Sequence, residues 1–179
     1  FWRKHRELVQ GAAREFAVDP HIIIAIIGVE TFYGRITGSY RVLDALATLG
    51  FHYPPNLESN RSAFFAGELM QFLLLGRDEG LPLNEITGSY AGAMGMGQFI
   101  PSSYRAYAVD FDEDGSRDLW RSVPDAVGSV ANYLHRHGWE AGAPITSQAF
   151  ASARADRGLV ERIMQVFQHY ASSMDEETQ

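Results

Sequence analysis

The sequence predicts a mainly α-helical domain with at most a minor β element. Three observations carry that expectation. Apolar residues recur every three or four positions over most of the chain, which places them on one face of a helix. Proline stands where helices should begin, at Asp19-Pro20 and at Pro124, because its missing N–H costs nothing in a first turn. No alternating apolar–polar run extends beyond a few residues, so an extended sheet is not expected. The chain has 179 residues, enough for one domain with an ordinary core.

Each element follows from local chemistry. Leu8, Val9, Ala12, Ala13 and Phe16 make the apolar face of a first helix. A second should start with Asp19 as N-cap acceptor, run to about Phe32 and stop near Gly34. A short third helix is predicted over residues 44–49, with Asp44 as N-cap and Gly50 as C-terminal cap. Phe51-His52-Tyr53-Pro54-Pro55 breaks the regularity. Residues 61–77 read as a long helix with Phe64, Phe65, Leu69, Phe72 and Leu73 inward. Residues 80–101 are glycine-rich and predict a loop segment. A helix over 102–109 leads into an acidic loop, and another over 124–136 is bounded by Gly138. Leu159, Ile163, Val166, Phe167 and Tyr170 predict a last helix over 158–170.

Composition excludes some function classes. The net charge is −7, which argues against a nonspecific nucleic-acid binder. There is no cysteine, so neither disulfides nor thiolate zinc is available. The apolar run at 22–29 is far short of the roughly 20 residues that span a bilayer. No signal peptide or lipid-anchoring cysteine is visible.

Three motifs carry chemistry. The stretch HIIIAIIGVETFYG (21–34) brings a carboxylate, Glu30, to the end of a greasy helix. Such a helix is a buried central one, and its last turn presents a side chain at a cleft floor. An ordinary Glu titrates near about 4.3. Apolar walls such as Ile26, Ile27, Phe32 and Tyr33 disfavour its charged form and raise that value. At about 6, roughly a tenth would be protonated at neutral pH, which suits a general acid. Pairing with Arg35 or Arg41 is the competing, non-catalytic role.

SYAGAMGMGQFIPSSY (89–104) permits tight backbone at its glycines, and Gln98, the serines and the tyrosines offer hydrogen bonds and ring faces suited to sugars. It lacks the Gly-Lys-Ser/Thr of a phosphate loop, and no strand precedes it as in a dinucleotide fingerprint. No organic cofactor is implied. The alternative is a connector whose Met94, Met96 and Phe99 plug the core. In DFDEDGSRDLW (110–120), Asp110, Asp112 and Asp114 alternate, and Gly115 falls where a calcium loop turns sharply. Ser116 would offer its carbonyl, and Asp118 would act directly or through water. The twelfth position is Arg121 rather than a bidentate Glu, so Asp125 is the substitute. Ca²⁺ in a structural role is the reading. His135 and His137, two apart, do not make a metal pair, and no nucleophilic-serine motif is present.

Taken together, GVETFYGRITGSYRVLDALATLGFHYP (28–54), GSYAGAMGMGQFIPSSYRAYAVDFDEDG (88–115) and DAVGSVANYLHRHGW (125–139) resemble the B-type membrane-bound lytic transglycosylases of bacteria. The resemblance spans roughly residues 1–140 and implies a lysozyme-like catalytic domain over 1–179, with an EF-hand-like loop at 110–125. It implies cleavage of the β-1,4 bond between N-acetylmuramic acid and N-acetylglucosamine without added water, leaving 1,6-anhydromuramoyl ends. By motif it makes Glu30 the sole catalytic acid. It makes Ser89 a residue facing the reacting sugar, and Tyr90, Gln98 and Tyr133 groove contacts. Met94 would pack the substrate-binding floor. Asp110, Asp112, Asp114, Ser116 and Asp125 would hold the calcium. The implied partners are peptidoglycan strands and other cell-wall enzymes, and the implied location is the bacterial periplasm or envelope.

Two departures stand out. The interval from Asp110 to Asp125 is one residue longer than the family pattern, and residues 140–179 diverge. The expectation is a short member or a core fragment. A hydrolytic muramidase, with Asp44 as the second carboxylate to watch, and a non-catalytic calcium-stabilised peptidoglycan-binding module are the alternatives.

Overall fold

Two helices open the chain and build about a third of the buried core. The structure, a computed structural model, describes residues 1–55 and 60–143, so the helix expected over 158–170 lies outside the described residues. Helix α1 (Trp2–Phe16) buries Trp2, Val9, Ala12 and Ala13, with Leu8 and Phe16 partly covered beside them. Helix α2 (Pro20–Thr31) buries Ile22, Ile23, Ile24, Ala25 and Ile27, which makes it the central helix its composition predicts. Each buried isoleucine contributes about 1.5–3 kcal/mol. Pro20 opens α2 as expected, but Asp19 does not cap it with its side chain. The Asp19 carboxylate accepts the indole N–H of Trp139 at 3.3 Å instead.

The next elements differ from expectation at their ends. Strand β1 (Tyr40–Arg41) runs straight into helix α3 (Val42–Phe51). Arg41, not Asp44, occupies the N-cap, and Asp44 lies in the first turn, gripped by the Arg41 guanidinium at 2.6 Å. Helix α4 (Ser62–Glu79) packs along α3. Gly50 sits inside α3 rather than capping it, and its missing Cβ, which would come within 3.1 Å of the Ala66 backbone nitrogen, lets α4 approach. The inward stripe of α4 is Phe65, Glu68, Phe72, Leu75 and Gly76, whereas Phe64 and Leu73, expected inside, are 40% and 43% exposed. A charged residue in the stripe, Glu68, hid its phase.

Strand β2 (Thr87–Gly88) pairs antiparallel with β1, Tyr40 opposite Gly88 and Arg41 opposite Thr87. Helix α5 (Pro101–Tyr107) takes Pro101 as its first residue. Helix α6 (Val123–Arg136) is capped by Ser122, whose hydroxyl oxygen accepts the Asp125 N–H at 3.1 Å. α6 packs on α1, α2 and α5 and buries Ala126, Val127, Val130, Ala131 and Leu134. Among the described residues no helix is long and apolar enough to cross a membrane. The two-stranded ladder joins the chain leaving α2 to the glycine-rich segment before α5, and that junction positions the site.

Candidate active site

Glu30 is the penultimate residue of α2 and is partly buried. The helix stops there because Phe32 adopts a left-handed conformation (φ 52°) and returns its N–H to Gly28. Tyr33 follows in the same region (φ 62°) and stacks on Phe1 at 5.1 Å. Of the residues expected to wall Glu30, Ile27 is buried and Ile26 and Tyr33 are partly buried. Phe32, in its left-handed turn, is 54% exposed with the Arg35 guanidinium 5.0 Å above its ring.

The turn after Glu30 is fastened to the glycine-rich segment at several points. The buried Thr31 hydroxyl donates to the Met96 carbonyl at 2.8 Å and accepts the Gly34 N–H at 2.9 Å. The Gln98 side-chain N–H donates to the carbonyls of Thr37 and Gly95 at 3.2 and 3.0 Å. Gly38 (φ 96°) lies so close to the partner strand that a Cβ would sit 2.0 Å from the Gly88 carbonyl oxygen. Only glycine satisfies both the backbone angle and that approach.

The groove residues named from sequence divide by exposure. Tyr90 is 72% exposed, and its ring faces solvent. Ser89 is half-buried, and its hydroxyl oxygen accepts the N–H groups of Ala91 and Ala93 at 3.2 and 3.0 Å. This holds the turn and leaves the hydroxyl proton to be donated. Gln98 spends its amide N–H groups inside the protein, as a brace of the loop. Tyr133, half-buried, lies 4.0 Å from the His137 ring and packs edge-on against Phe99 and Tyr107. Burial raises its phenol pKa. Met94 is fully buried and offers no surface to a ligand, which corrects its place among the contact residues.

The acidic loop joins α5 to α6. Asp110, Asp112 and Asp125 each bring one carboxylate oxygen within 4.8 Å of the others. Asp114 is not in that group; its Oδ1 accepts the N–H and hydroxyl of Ser116. Asp118 turns away to accept the N–H groups of Trp120 and Arg121. Asp125 is fully buried, and its oxygens accept the N–H groups of Phe111 and Asp118, both at 2.8 Å. Burial pushes its carboxyl pKa up; those two hydrogen bonds lower it and the charges of Asp112 and Asp110 raise it further. Convergent carboxylate oxygens, with Gly115 (φ 92°) at the sharp turn, are a donor set that fits a hard cation such as Ca²⁺.

Three residues escaped the sequence reading. Thr31 follows Glu30 as a second polar residue at the end of a mostly apolar helix, and that is a usable signal. Glu68 holds Ser102 from within the core. Arg117 pairs with Glu79 and its carbonyl accepts the Tyr104 hydroxyl, tying the acidic loop to α4 and α5. Burial, together with the Glu79 charge, raises the Tyr104 pKa and keeps that phenol a donor.

A family model described as the transglycosylase SLT domain matches residues 1–176. Membrane-bound lytic murein transglycosylase B of Escherichia coli (strain K12) is 51% identical over 154 residues, covering 86% of this chain and 41% of the relative. The crystal structure of soluble lytic transglycosylase SltB1 from Pseudomonas aeruginosa matches with a TM-score of 0.75 and 57% identity, over 80% of this chain and 47% of that one. Escherichia coli Slt35 in complex with calcium matches at 0.74 and 50%, over 80% and 44%. Pseudomonas aeruginosa SltB3 in complex with NAG-anhNAM-pentapeptide matches at 0.72 and 40%, over 80% and 36%. This chain thus spans less than half the length of each relative. A mainly helical fold with these neighbours, and a matching domain along nearly its whole length, place the chain in one group: it belongs to the transglycosylase SLT domain family.

Proposed function

We propose that this chain is the catalytic domain of a lytic murein transglycosylase. Its substrate is the β-1,4 bond between N-acetylmuramic acid and N-acetylglucosamine in peptidoglycan, and its product is a 1,6-anhydromuramoyl end. The observation that carries the reading is Glu30 at the end of the buried helix, its following turn pinned to the glycine-rich segment through Thr31 and Met96. The relatives' activities and SltB3's bound NAG-anhNAM-pentapeptide support it.

The chemistry requires one carboxyl group to act twice. Glu30 protonates the glycosidic oxygen as the C1–O bond breaks. The carbonyl oxygen of the muramoyl 2-acetamido group attacks C1 and forms an oxazolinium ring. Glu30, now a carboxylate, takes the proton of the same sugar's O6 hydroxyl as O6 attacks C1 and opens that ring. Water is not consumed, and Glu30 ends protonated for the next cycle. Substrate assistance of this kind dispenses with a second carboxylate. Ser89, with a hydroxyl proton to donate, orients the acetamido group or Glu30. Tyr90 and Tyr133 supply ring faces for neighbouring sugars.

Asp110, Asp112 and Asp125, with Asp114 and the Ser116 carbonyl, are the residues we assign to a calcium ion in an EF-hand-like loop. Bound there, Ca²⁺ would neutralise the crowded carboxylates and fix the connection between α5 and α6. It takes no part in bond cleavage. An envelope location and glycan-strand partners follow from the same reading.

A hydrolytic muramidase needs a second carboxylate to activate water. Asp44, the residue to watch, is exposed and held by Arg41, which counts against that role. Digestion of purified peptidoglycan followed by mass spectrometry tests the proposal. Anhydro ends, lighter than hydrolysed ends by one water, are the expected product, and Glu30→Gln should bind the polymer without releasing any. Reducing ends, or a Glu30→Gln variant with full activity, would overturn it.

A further inference from the structure

Thr31 is 1% exposed, in the last turn of α2, one residue beyond Glu30. Its hydroxyl reaches three backbone groups. It donates to Met96 O at 2.8 Å, lies 3.2 Å from Ile27 O, and accepts from Gly34 N at 2.9 Å. Ile27 belongs to the helix, Gly34 to the turn that leaves it, and Met96 to the glycine-rich segment. One hydroxyl therefore joins the three pieces of backbone that meet beside the acid. Met96 is fixed from its other side as well. Its N–H donates to the Leu119 carbonyl at 2.8 Å, and Leu119 is fully buried next to Asp118, whose N–H is held by Asp125.

A hydrogen-bonded hydroxyl at this place cannot be explained as an ordinary helix end. The backbone there is already terminated by Phe32, whose N–H returns to Gly28. A valine would fill the same volume. What it would lose is the fixed direction of the last turn relative to the glycine-rich segment. We propose that Thr31 is a positioning residue for Glu30: its hydroxyl sets the direction in which the carboxyl group enters the cleft. The inference rests on Glu30 being the acid, as argued above. It adds a residue that acts through Glu30 and does not touch substrate.

The test compares Thr31→Val and Thr31→Ser with wild type and Glu30→Gln on soluble glycan strands. In Thr31→Val, kcat should fall by about 10- to 100-fold, the scale expected of a displacement near 1 Å, with KM within about threefold. Thr31→Ser, which keeps the hydroxyl, should recover kcat to within about threefold of wild type. Leu75→Ala, a buried change on α4, serves as a control for lost stability alone and should keep its kcat. The Glu30 carboxyl titration, followed by carbon NMR, reads the same geometry without turnover. It should be displaced in Thr31→Val and return in Thr31→Ser. If Thr31→Val fails to fold, Thr31→Ala is measured in the same way. An unmoved titration and unchanged kcat in a folded Thr31→Val would overturn the proposal, as would a Thr31→Ser variant as impaired as valine. An inactive wild type would instead refute the proposed function, and a fully active Glu30→Gln the choice of acid; in either case the titration would still decide whether Thr31 positions Glu30.

Discussion

Both carboxylate oxygens of Glu68 are held by one residue, Ser102: Oε2 accepts its backbone N–H at 2.9 Å and Oε1 its hydroxyl at 2.7 Å. Ser102 is the second residue of α5, so its N–H has no partner within its own helix. Glu68 supplies that partner from α4 while only 6% exposed, and a carboxylate beside a helix N-terminus is favourably placed. Glu68→Ala leaves the Ser102 donors without an acceptor, at about 1–3 kcal/mol. Thermal unfolding should register a fall of roughly 2–4 °C for each kcal/mol. Glu68→Gln, which retains one acceptor oxygen, should lose less. An alanine variant that melts with wild type would show that this clasp contributes nothing.

Gly38 is predicted to tolerate no side chain. Its φ of 96° is costly for any other residue, and the Gly88 carbonyl occupies the space a Cβ needs. Gly38→Ala must push β1 from β2 or abandon the left-handed angle, each costing of the order of 1–3 kcal/mol. Because the same ladder aligns the glycine-rich segment with the turn after Glu30, both melting temperature and kcat should drop together. Gly67→Ala, on an open face of α4 with nothing within 4 Å of the added carbon, is the comparison and should be neutral or slightly stabilising.

Tyr90 should affect binding and leave chemistry alone. Its ring is 72% exposed and hydrophobic, a surface that gains by covering a sugar. Tyr90→Ala is expected to raise KM about fivefold, equivalent to roughly 1 kcal/mol, with kcat within about twofold. Tyr90→Phe should behave like wild type if the ring face does the work. Steady-state kinetics on defined glycan strands would decide this, and an equal loss in kcat and kcat/KM for alanine would assign Tyr90 to the transition state instead.

What was legible in the sequence follows from how local each feature is. The helices are readable because burial imposes a three-to-four residue rhythm, and α2 is readable as central because it is apolar nearly all round. Glu30 and the alternating aspartates stood in contiguous motifs. Three misreadings involve a partner distant in the chain. Asp19 looks like a cap, yet Trp139 takes its carboxylate. Gly50 looks like a helix end, yet it makes room for the Ala66 backbone. Phe64 and Leu73 were placed inside because Glu68, in the true inward stripe, reads as a surface residue until Ser102 is brought to it. The exposure of Phe32 goes with its left-handed backbone, which composition does not reveal.

Calcium removal gives the sharpest prediction, because two residues of the acidic loop that we assign to the ion differ in what else they do. Asp112 is exposed, and among the described residues its carboxylate otherwise accepts the Ser122 hydroxyl, at 3.0 Å. Asp125 is buried and holds Phe111 and Asp118 by their N–H groups with or without an ion. A calcium concentration 100 times the dissociation constant should add about 2.7 kcal/mol by mass action. For a chain of this size that is roughly 5–11 °C in melting temperature. Chelation should remove the gain. Asp112→Ala should abolish the calcium response while leaving the chelated protein close to wild type. Asp125→Asn should melt lower in both conditions, because an amide carries only one acceptor oxygen for two N–H groups. The loss should also reach the cleft, since Asp118, held by Asp125, precedes the Leu119 carbonyl that anchors Met96. Asp125→Asn should therefore show a lower kcat below its melting temperature, with or without calcium. A chelator that leaves the melting of wild type unchanged would remove the ion from the proposal, and an Asp125→Asn variant that loses melting temperature alone would sever the loop from the acid.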